Sequence, residues 1–321
     1  MTGAVLGLDT SNYRTSIAVV SRERKILLNR RELLPVEAGA RGLRQSDAVY
    51  AHLKQIKPMM EDLRATLSEV RLDAVCASTA PRNQPDSYMP VFEVGDTIGR
   101  GIAASMGIPF FPTDHQHGHI RAAQAGTGLD GAERFLGLHL SGGTTDLLLL
   151  DRGEVKMLGT SLDLHAGQLV DRIGVALGCS FPAGEELEQL ARRGSSAGRL
   201  GTSMDCGGLS CHLSGAEAET FRWIQKAERR PEDIAREVFD FLVRTTLKLL
   251  LAGARSTGAV SALLFGGIAS SGLFREMLHD RMRRERSFPV RIVFGRSELS
   301  GDNAVGTALI GADAVYGVTE S

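Results

Sequence analysis

Three of the eight histidines fall within five residues, in Asp114-His115-Gln116-His117-Gly118-His119. If a helix begins here, His115 and His119 stand four apart on one face and can share a metal, while His117 points about opposite. Two imidazoles do not complete a site, so a carboxylate must come from elsewhere in the chain. A zinc protease would need Glu directly after the first His as general base. Gln116 stands there and cannot take up a proton. The competing reading is a polar helix start whose histidines are hydrogen-bonded.

A second chemistry is written twice. Leu6-Gly7-Leu8-Asp9-Thr10-Ser11-Asn12-Tyr13-Arg14-Thr15 aligns with Leu136-Gly137-Leu138-His139-Leu140-Ser141-Gly142-Gly143-Thr144-Thr145, and apolar strands follow both. Each unit reads as a hairpin whose small polar turn can offer N–H groups and hydroxyls to phosphate. Leu263-Leu264-Phe265 then runs into Gly266-Gly267 and on to Ser270-Ser271, where glycines would let the backbone approach a base or ribose. One such turn would be an ordinary tight hairpin. A matched pair with a third glycine turn points instead to duplicated domains facing each other across a nucleotide cleft, the pattern of the actin-like ATPase and sugar kinase fold. No P-loop motif occurs.

These residues need an α/β frame to carry them. Strands are expected over 4–9, 16–20, 72–78, 135–140, 146–150 and 260–265. Helices are expected over 43–68, 96–106, from Pro231 onward, and from Gly301-Asp302-Asn303 through Tyr316. In the first helix Leu43, Ala48, Leu53, Ile56, Met59 and Leu63 mark the apolar face. In the helix after Pro231 the face is Ile234, Val238, Phe241, Leu242, Thr245 and Leu249.

Composition narrows the partners. With 37 basic and 38 acidic residues the net charge is -1, so there is no global field for nucleic acid. A nucleic-acid substrate requires a local patch or a partner protein. Four cysteines in 321 residues make no disulfide scaffold. No apolar run suits a membrane helix and no signal-peptide pattern opens the chain, so a cytoplasmic enzyme is expected.

Taken together, these segments resemble the threonylcarbamoyladenosine synthase family of tRNA-modifying transferases. The family's His-x-Glu-Gly-His motif is similar to His115-Gln116-His117-Gly118-His119, and its Thr-Asp-Asn motif to Gly301-Asp302-Asn303. Its Ser-Gly-Gly-His-Thr loop resembles Ser141-Gly142-Gly143-Thr144-Thr145. Its Asp-Asp-Ala-Ala-Gly-Glu-Ala-Phe-Asp-Lys helix resembles Leu164 to Arg172, and its Tyr-Pro-Gly-Gly turn Phe181-Pro182-Ala183-Gly184. The resemblance implies an actin-like ATPase fold and transfer of threonylcarbamoyl from threonylcarbamoyl-adenylate to N6 of adenosine 37 in tRNA. It implies one divalent metal, iron or zinc, on His115, His119 and Asp302. An adenine nucleotide or the acyl-adenylate would bind along His139, Leu140, Ser141, Gly142, Gly143, Asp171, Gly184, Gly266, Gly267 and Ser271. Asp9 and Ser11 are the catalytic candidates. Partners implied are tRNA and the proteins of the modifying complex (a non-catalytic paralogue and a P-loop ATPase) or a second copy of the chain, with no membrane.

The chain departs from the family where substrate would react. The family's loop resembles Glu-Thr-Ser-Cys-Asp-Glu-Thr, whereas this one reads Asp9 to Thr15 with Tyr13 and Arg14 in place of two acids. The loop histidine is Thr144 and a base-contacting Asn is Ser271. These changes suggest a divergent paralogue, whose alternatives are carbamoyl or acyl-adenylate transfer to another acceptor, or a non-catalytic nucleotide-binding scaffold. Cys206 and Cys211-His212 have no strong zinc spacing. The expected domains are 1–130 and 131–302, with a helix over 303–318 returning to the first.

Overall fold

Ala4, Val5, Leu6 and Leu8 are fully buried, as a strand covered on both faces must be. They belong to β1 (Thr2–Ser11) in a computed structural model that describes residues 1–11, 13–35, 43–84, 86–284 and 288–318. Asn12 of the first repeated turn lies outside the described residues. β2 (Arg14–Ser21) and β3 (Ile26–Leu33) extend β1 as an antiparallel meander. After α1 (Gln45–Leu67) comes β4 (Val70–Ala80), parallel to β1. α2 (Phe92–Met106) crosses to β5 (Phe110–Asp114), parallel to β4, and α3 (His115–Gln124) follows without a break. The sheet order is β3-β2-β1-β4-β5.

The buried face of α1 is Ala48, His52, Ile56, Met59 and Leu63, and Leu53 is 43% exposed. The sequence reading chose Leu53 because it is apolar. The helical spacing instead selects its neighbour His52, whose imidazole is taken into the core by a polar partner described below.

The second sheet repeats the first. β6 (Arg134–Leu140), β7 (Thr145–Asp151) and β8 (Glu154–Thr160) form the meander. α4 (Ala166–Ala176), α5 (Gly184–Arg192), the short pair β9 (Ser203–Met204) and β10 (Cys211–His212), α6 (Ser214–Gln225) and α7 (Pro231–Thr257) come next. β11 (Ser261–Phe265) pairs parallel to β6. α8 (Gly267–Ser270) and α9 (Gly272–Arg284) lead to β12 (Arg291–Phe294), parallel to β11. The order β12-β11-β6-β7-β8 mirrors the first sheet strand for strand. The duplication extends to register: Leu6 pairs with Val19 and Leu136 with Leu149, while Thr10 pairs with Thr15 and Leu140 with Thr145. All six residues expected on the apolar face of α7 are buried.

α10 (Val305–Tyr316) packs on β1, β2, β4 and α3. The chain therefore divides into one unit of 1–126 with 298–321 and another of 127–297. Asp302 belongs to the first unit because Asn303 ties its loop to that unit: Nδ2 donates to the carbonyls of Leu299 and Gly301, and Oδ1 accepts from the N–H of Val305. Among the described residues no helix is long and apolar enough to cross a membrane.

Candidate metal centre and nucleotide cavity

Asp114 ends β5 in extended conformation and caps α3, its Oδ1 accepting from the N–H of His117 at 3.0 Å. That cap sets the phase of the helix. His115 and His119 fall on one face, and His117 turns its Nδ1 to the Asp114 carboxylate.

α10 brings the carboxylate. A Cβ on Gly306 would lie 1.8 Å from the Gly118 carbonyl oxygen, so α3 and α10 touch backbone to backbone at that level. This contact is only open to glycine, and it sets the loop before α10 beside the histidines. Nε2 of His119 is 3.0 Å from both His115 Nε2 and Asp302 Oδ1, and His115 Nε2 is 3.8 Å from the same oxygen. Atoms bound at roughly 2.1 Å in a tetrahedron are about 3.4 Å apart, so the three donors already stand at ligand spacing. Among the described residues this is the one His, Cys, Asp and Glu group that could hold an ion.

A supporting layer surrounds the donors. Nδ1 of His115 lies 2.7 Å from Asp9 Oδ2, and the Ser78 hydroxyl donates to the same oxygen at 3.3 Å. Asp9 Oδ1 is buried with no hydrogen-bond partner, so the carboxylate is committed to the imidazole side. The Ser11 hydroxyl donates to Asp302 Oδ2 at 3.2 Å. Burial opposes a charge on His115, but the carboxylates of Asp9, Asp302 and Asp114 together outweigh it and lift the imidazole to about 9. Burial likewise opposes charge on Asp302, yet bonds from His119 and Ser11 and the nearby imidazoles hold its carboxyl well below the usual range. Such a cluster of carboxylates around paired imidazoles is electrostatically suited to a cation. Asp9 and Ser11, expected as catalytic, are 1% and 3% exposed, and both face the ligand side chains. Their bonds hold the His115 ring and the Asp302 carboxylate in place.

In the second unit the β6–β7 turn closes with the Ser141 N–H donating to the Thr144 carbonyl at 2.8 Å. The start of α4 is fastened to this turn, since Gly167 N–H donates to Ser141 O and Ala166 N–H to Thr145 Oγ1. A cavity of about 690 Å³ opens here, lined by residues of this unit alone. It collects Ser141, Gly142, Asp171, Gly184, Gly267 and Ser271 from the expected set. His139, Leu140, Gly143 and Gly266 are not in its lining. The His139 ring stacks on Phe265 at 4.7 Å, and Leu140 is core. Gly143 lies at the exposed tip of the turn. Gly266 adopts φ +98° with the Leu140 carbonyl where a Cβ would be, so it lets β11 turn into α8 beneath the cavity.

Sequence reading missed the acidic wall of this cavity, Glu185, Glu186 and Glu188. Glu188 accepts from the Ser271 hydroxyl at 2.7 Å and from Leu273 N–H, so it fixes the start of α9. Asp171 accepts from Ala183 N–H at 2.8 Å, tying α4 to the turn before α5. Three carboxylates close together after Phe181-Pro182 were the available signal. Cys206 is exposed and Cys211 buried, both as free thiols, and burial pushes Cys211 up to about 11.

Residues 36–309 match the TsaD family, tRNA N6-adenosine threonylcarbamoyltransferase. The chain belongs to that family. The tRNA N6-adenosine threonylcarbamoyltransferase of Thermococcus sibiricus is 27% identical over 282 residues, 88% of this chain and 83% of the relative. That of Thermococcus gammatolerans is 26% identical over 275 residues, 85% and 80% of the two chains. In fold, the family member resembles the crystal structure of T. kodakarensis HypF, with 15% identity and a TM-score of 0.61. That match covers 99% of this chain and 48% of the other, so the chain spans about half the length of HypF. A ROK family glucokinase from Streptomyces griseus, in complex with glucose and AMPPNP, matches with 12% identity and a TM-score of 0.53 over 96% and 99% of the chains. At these identities the likeness is one of fold, the α/β actin-like ATPase and sugar kinase (ASKHA) class.

Proposed function

We propose that this transferase moves a threonylcarbamoyl group from threonylcarbamoyl-adenylate to N6 of adenosine 37 in tRNA, with one divalent metal, iron or zinc. The observation that carries the reading is the convergence of His115 Nε2, His119 Nε2 and Asp302 Oδ1 at 3.0–3.8 Å in a chain of this family. Those three atoms would hold the ion, which when bound supplies a Lewis acid for the carbamoyl carbonyl. The protein's own work is positional. Asp9 accepts the hydrogen bond of His115 Nδ1–H and so would leave the lone pair on Nε2 for an ion. Ser11 holds the Asp302 carboxylate by its other oxygen. With the Ser141, Ala166 and Gly167 N–H groups spent inside the turn, the exposed Gly142 N–H is the donor this turn would offer to an adenylate phosphate.

An amine that attacks a carbonyl must lose a proton. Asp9 is buried behind His115, Tyr13 is a phenol and Arg14 a permanent cation, so the described part of the first loop offers no free base. We infer that turnover depends on partner proteins of the modifying complex, and that a second reading, transfer to another acceptor, draws its support from the same loop. The test is modified adenosine formed from synthetic threonylcarbamoyl-adenylate and unmodified tRNA. Turnover is expected in the presence of cell extract, to be lost with chelator or in His115→Ala, and to be weak with purified protein alone. Absence of metal-dependent product under every condition would overturn the reading.

A further inference from the structure

Arg14 opens β2 opposite Ser11, immediately after the turn that carries the supporting hydroxyl of the metal centre. Its Nη1 donates to the main-chain carbonyl of Asp302 at 3.4 Å and lies 3.4 Å from the Cβ position of Gly301. The guanidinium is thus laid over the Gly301-Asp302 peptide, one residue's main chain from the ligand carboxylate. That carboxylate is already engaged by His119 on one oxygen and Ser11 on the other. Among the described residues Arg14 has no carboxylate partner, whereas Arg24 and Arg121 of the same unit both pair with Asp313. It is half-buried, beside Tyr13, which is 59% exposed.

A planar cation with unused N–H donors fits an oxyanion. Charge points the same way. A divalent ion on two neutral imidazoles and one carboxylate retains positive charge, and Arg14 adds to it on the solvent-reachable side, while Asp9 is sealed on the buried side. A cationic ligand would be repelled by that arrangement, and an uncharged one would gain no ion pair from Arg14.

We propose that Arg14 is a specificity residue that binds an oxyanion of the acyl donor beside the metal centre. This rests on the transfer reading above. A threonylcarbamoyl-adenylate carries two such groups, the free carboxylate of its amino acid and its phosphate. The guanidinium takes one of them in a charge-assisted pair, and so selects donors built on an amino acid or an adenylate over uncharged carbamoyl compounds.

The test uses the full chain loaded with zinc and titration calorimetry on wild type, Arg14→Ala and Arg14→Lys. The ligands are N-carbamoyl-L-threonine, its uncharged carboxamide, and AMP. Arg14→Ala is expected to weaken N-carbamoyl-L-threonine about tenfold or more, with Arg14→Lys between, because a charge-assisted bond is lost. The carboxamide is expected to bind wild type and variant alike, and zinc affinity to stay unchanged. A loss confined to AMP assigns the oxyanion to phosphate instead. Equal binding of both anions by wild type and Arg14→Ala, or no binding of either to zinc-loaded wild type, overturns the proposal. Failure of wild type to take zinc at all sinks the metal reading itself, and is seen before any ligand is added.

Discussion

Asp9 Oδ2 meets Nδ1 of His115 at 2.7 Å, and through that contact the ring presents Nε2 to His119 and Asp302. A carboxylate behind a ligand imidazole fixes both its tautomer and its angle. Asp9→Asn should lower zinc affinity by roughly 10- to 100-fold, the usual cost of losing such a partner. Competition with a chromophoric chelator reads this directly, with the melting temperature as a check on folding. Unchanged affinity would mean that β1 and α3 alone hold the ring.

The three histidines of α3 should separate cleanly. His115→Ala and His119→Ala are expected to abolish tight zinc binding, as is Asp302→Ala. His117→Ala should leave it intact, because that ring is spent on Asp114. Asp114→Ala removes the helix cap and should cost about 1 kcal/mol of stability. If His117→Ala lost zinc as fully as His119→Ala, the assigned ligand set would be wrong.

His52 gives a pH signature beneath the first loop, beside Ser11 and Asp9. It is fully buried, its Nδ1 lies 2.7 Å from Thr15 Oγ1, and burial holds the imidazole down at about 4 against an ordinary 6.5. Between those values the unfolded chain carries a proton that the folded chain lacks. Stability is therefore full above 6.5 and falls as pH drops toward 4, by up to about 1.4 kcal/mol per unit. Urea unfolding across that range should show a flatter slope in His52→Gln. An unaltered slope would remove His52 as its source.

Gly167 is the structural limit of the second unit's cavity. A Cβ there would sit 2.5 Å from the Gly142 nitrogen, so Gly167→Ala must displace the Ser141-Gly142 turn from the start of α4. AMP affinity is expected to drop severalfold or more, with zinc affinity untouched because the triad lies in the other unit. Thermal shift with AMP and with zinc would tell the two apart.

How much of this the chain discloses in advance depends on the kind of signal. The repeated Leu-Gly-Leu turns carried the duplication because register follows directly from turn and strand pattern, and the two hairpins pair identically. The His-x-x-x-His spacing carried the shared face of His115 and His119 because α3 starts where Asp114 caps it. What stayed hidden was set by contacts distant in sequence. Nothing local to Asp9 reveals that its carboxylate lies behind His115, and nothing local to His52 shows that Thr15 and the start of β2 accept it in the core. His139 and Leu140 sit next to a phosphate-like turn yet alternate into the sheet, where strand geometry overrides adjacency. The return of 298–321 to the first unit shows no compositional break in the sequence.

That return has a consequence for biosynthesis. The strands β1 and β4, and the histidines of α3, leave the ribosome long before α10 and the loop bearing Asp302, with the whole of 127–297 made in between. The second unit is continuous and can close around α7 as it emerges. In the first, the side of β1 that α10 covers stays open until the last segment arrives. A nascent chain halted anywhere in the second unit would hold His115 and His119 without Asp302, so the three-residue group is complete only once the polypeptide has passed residue 302.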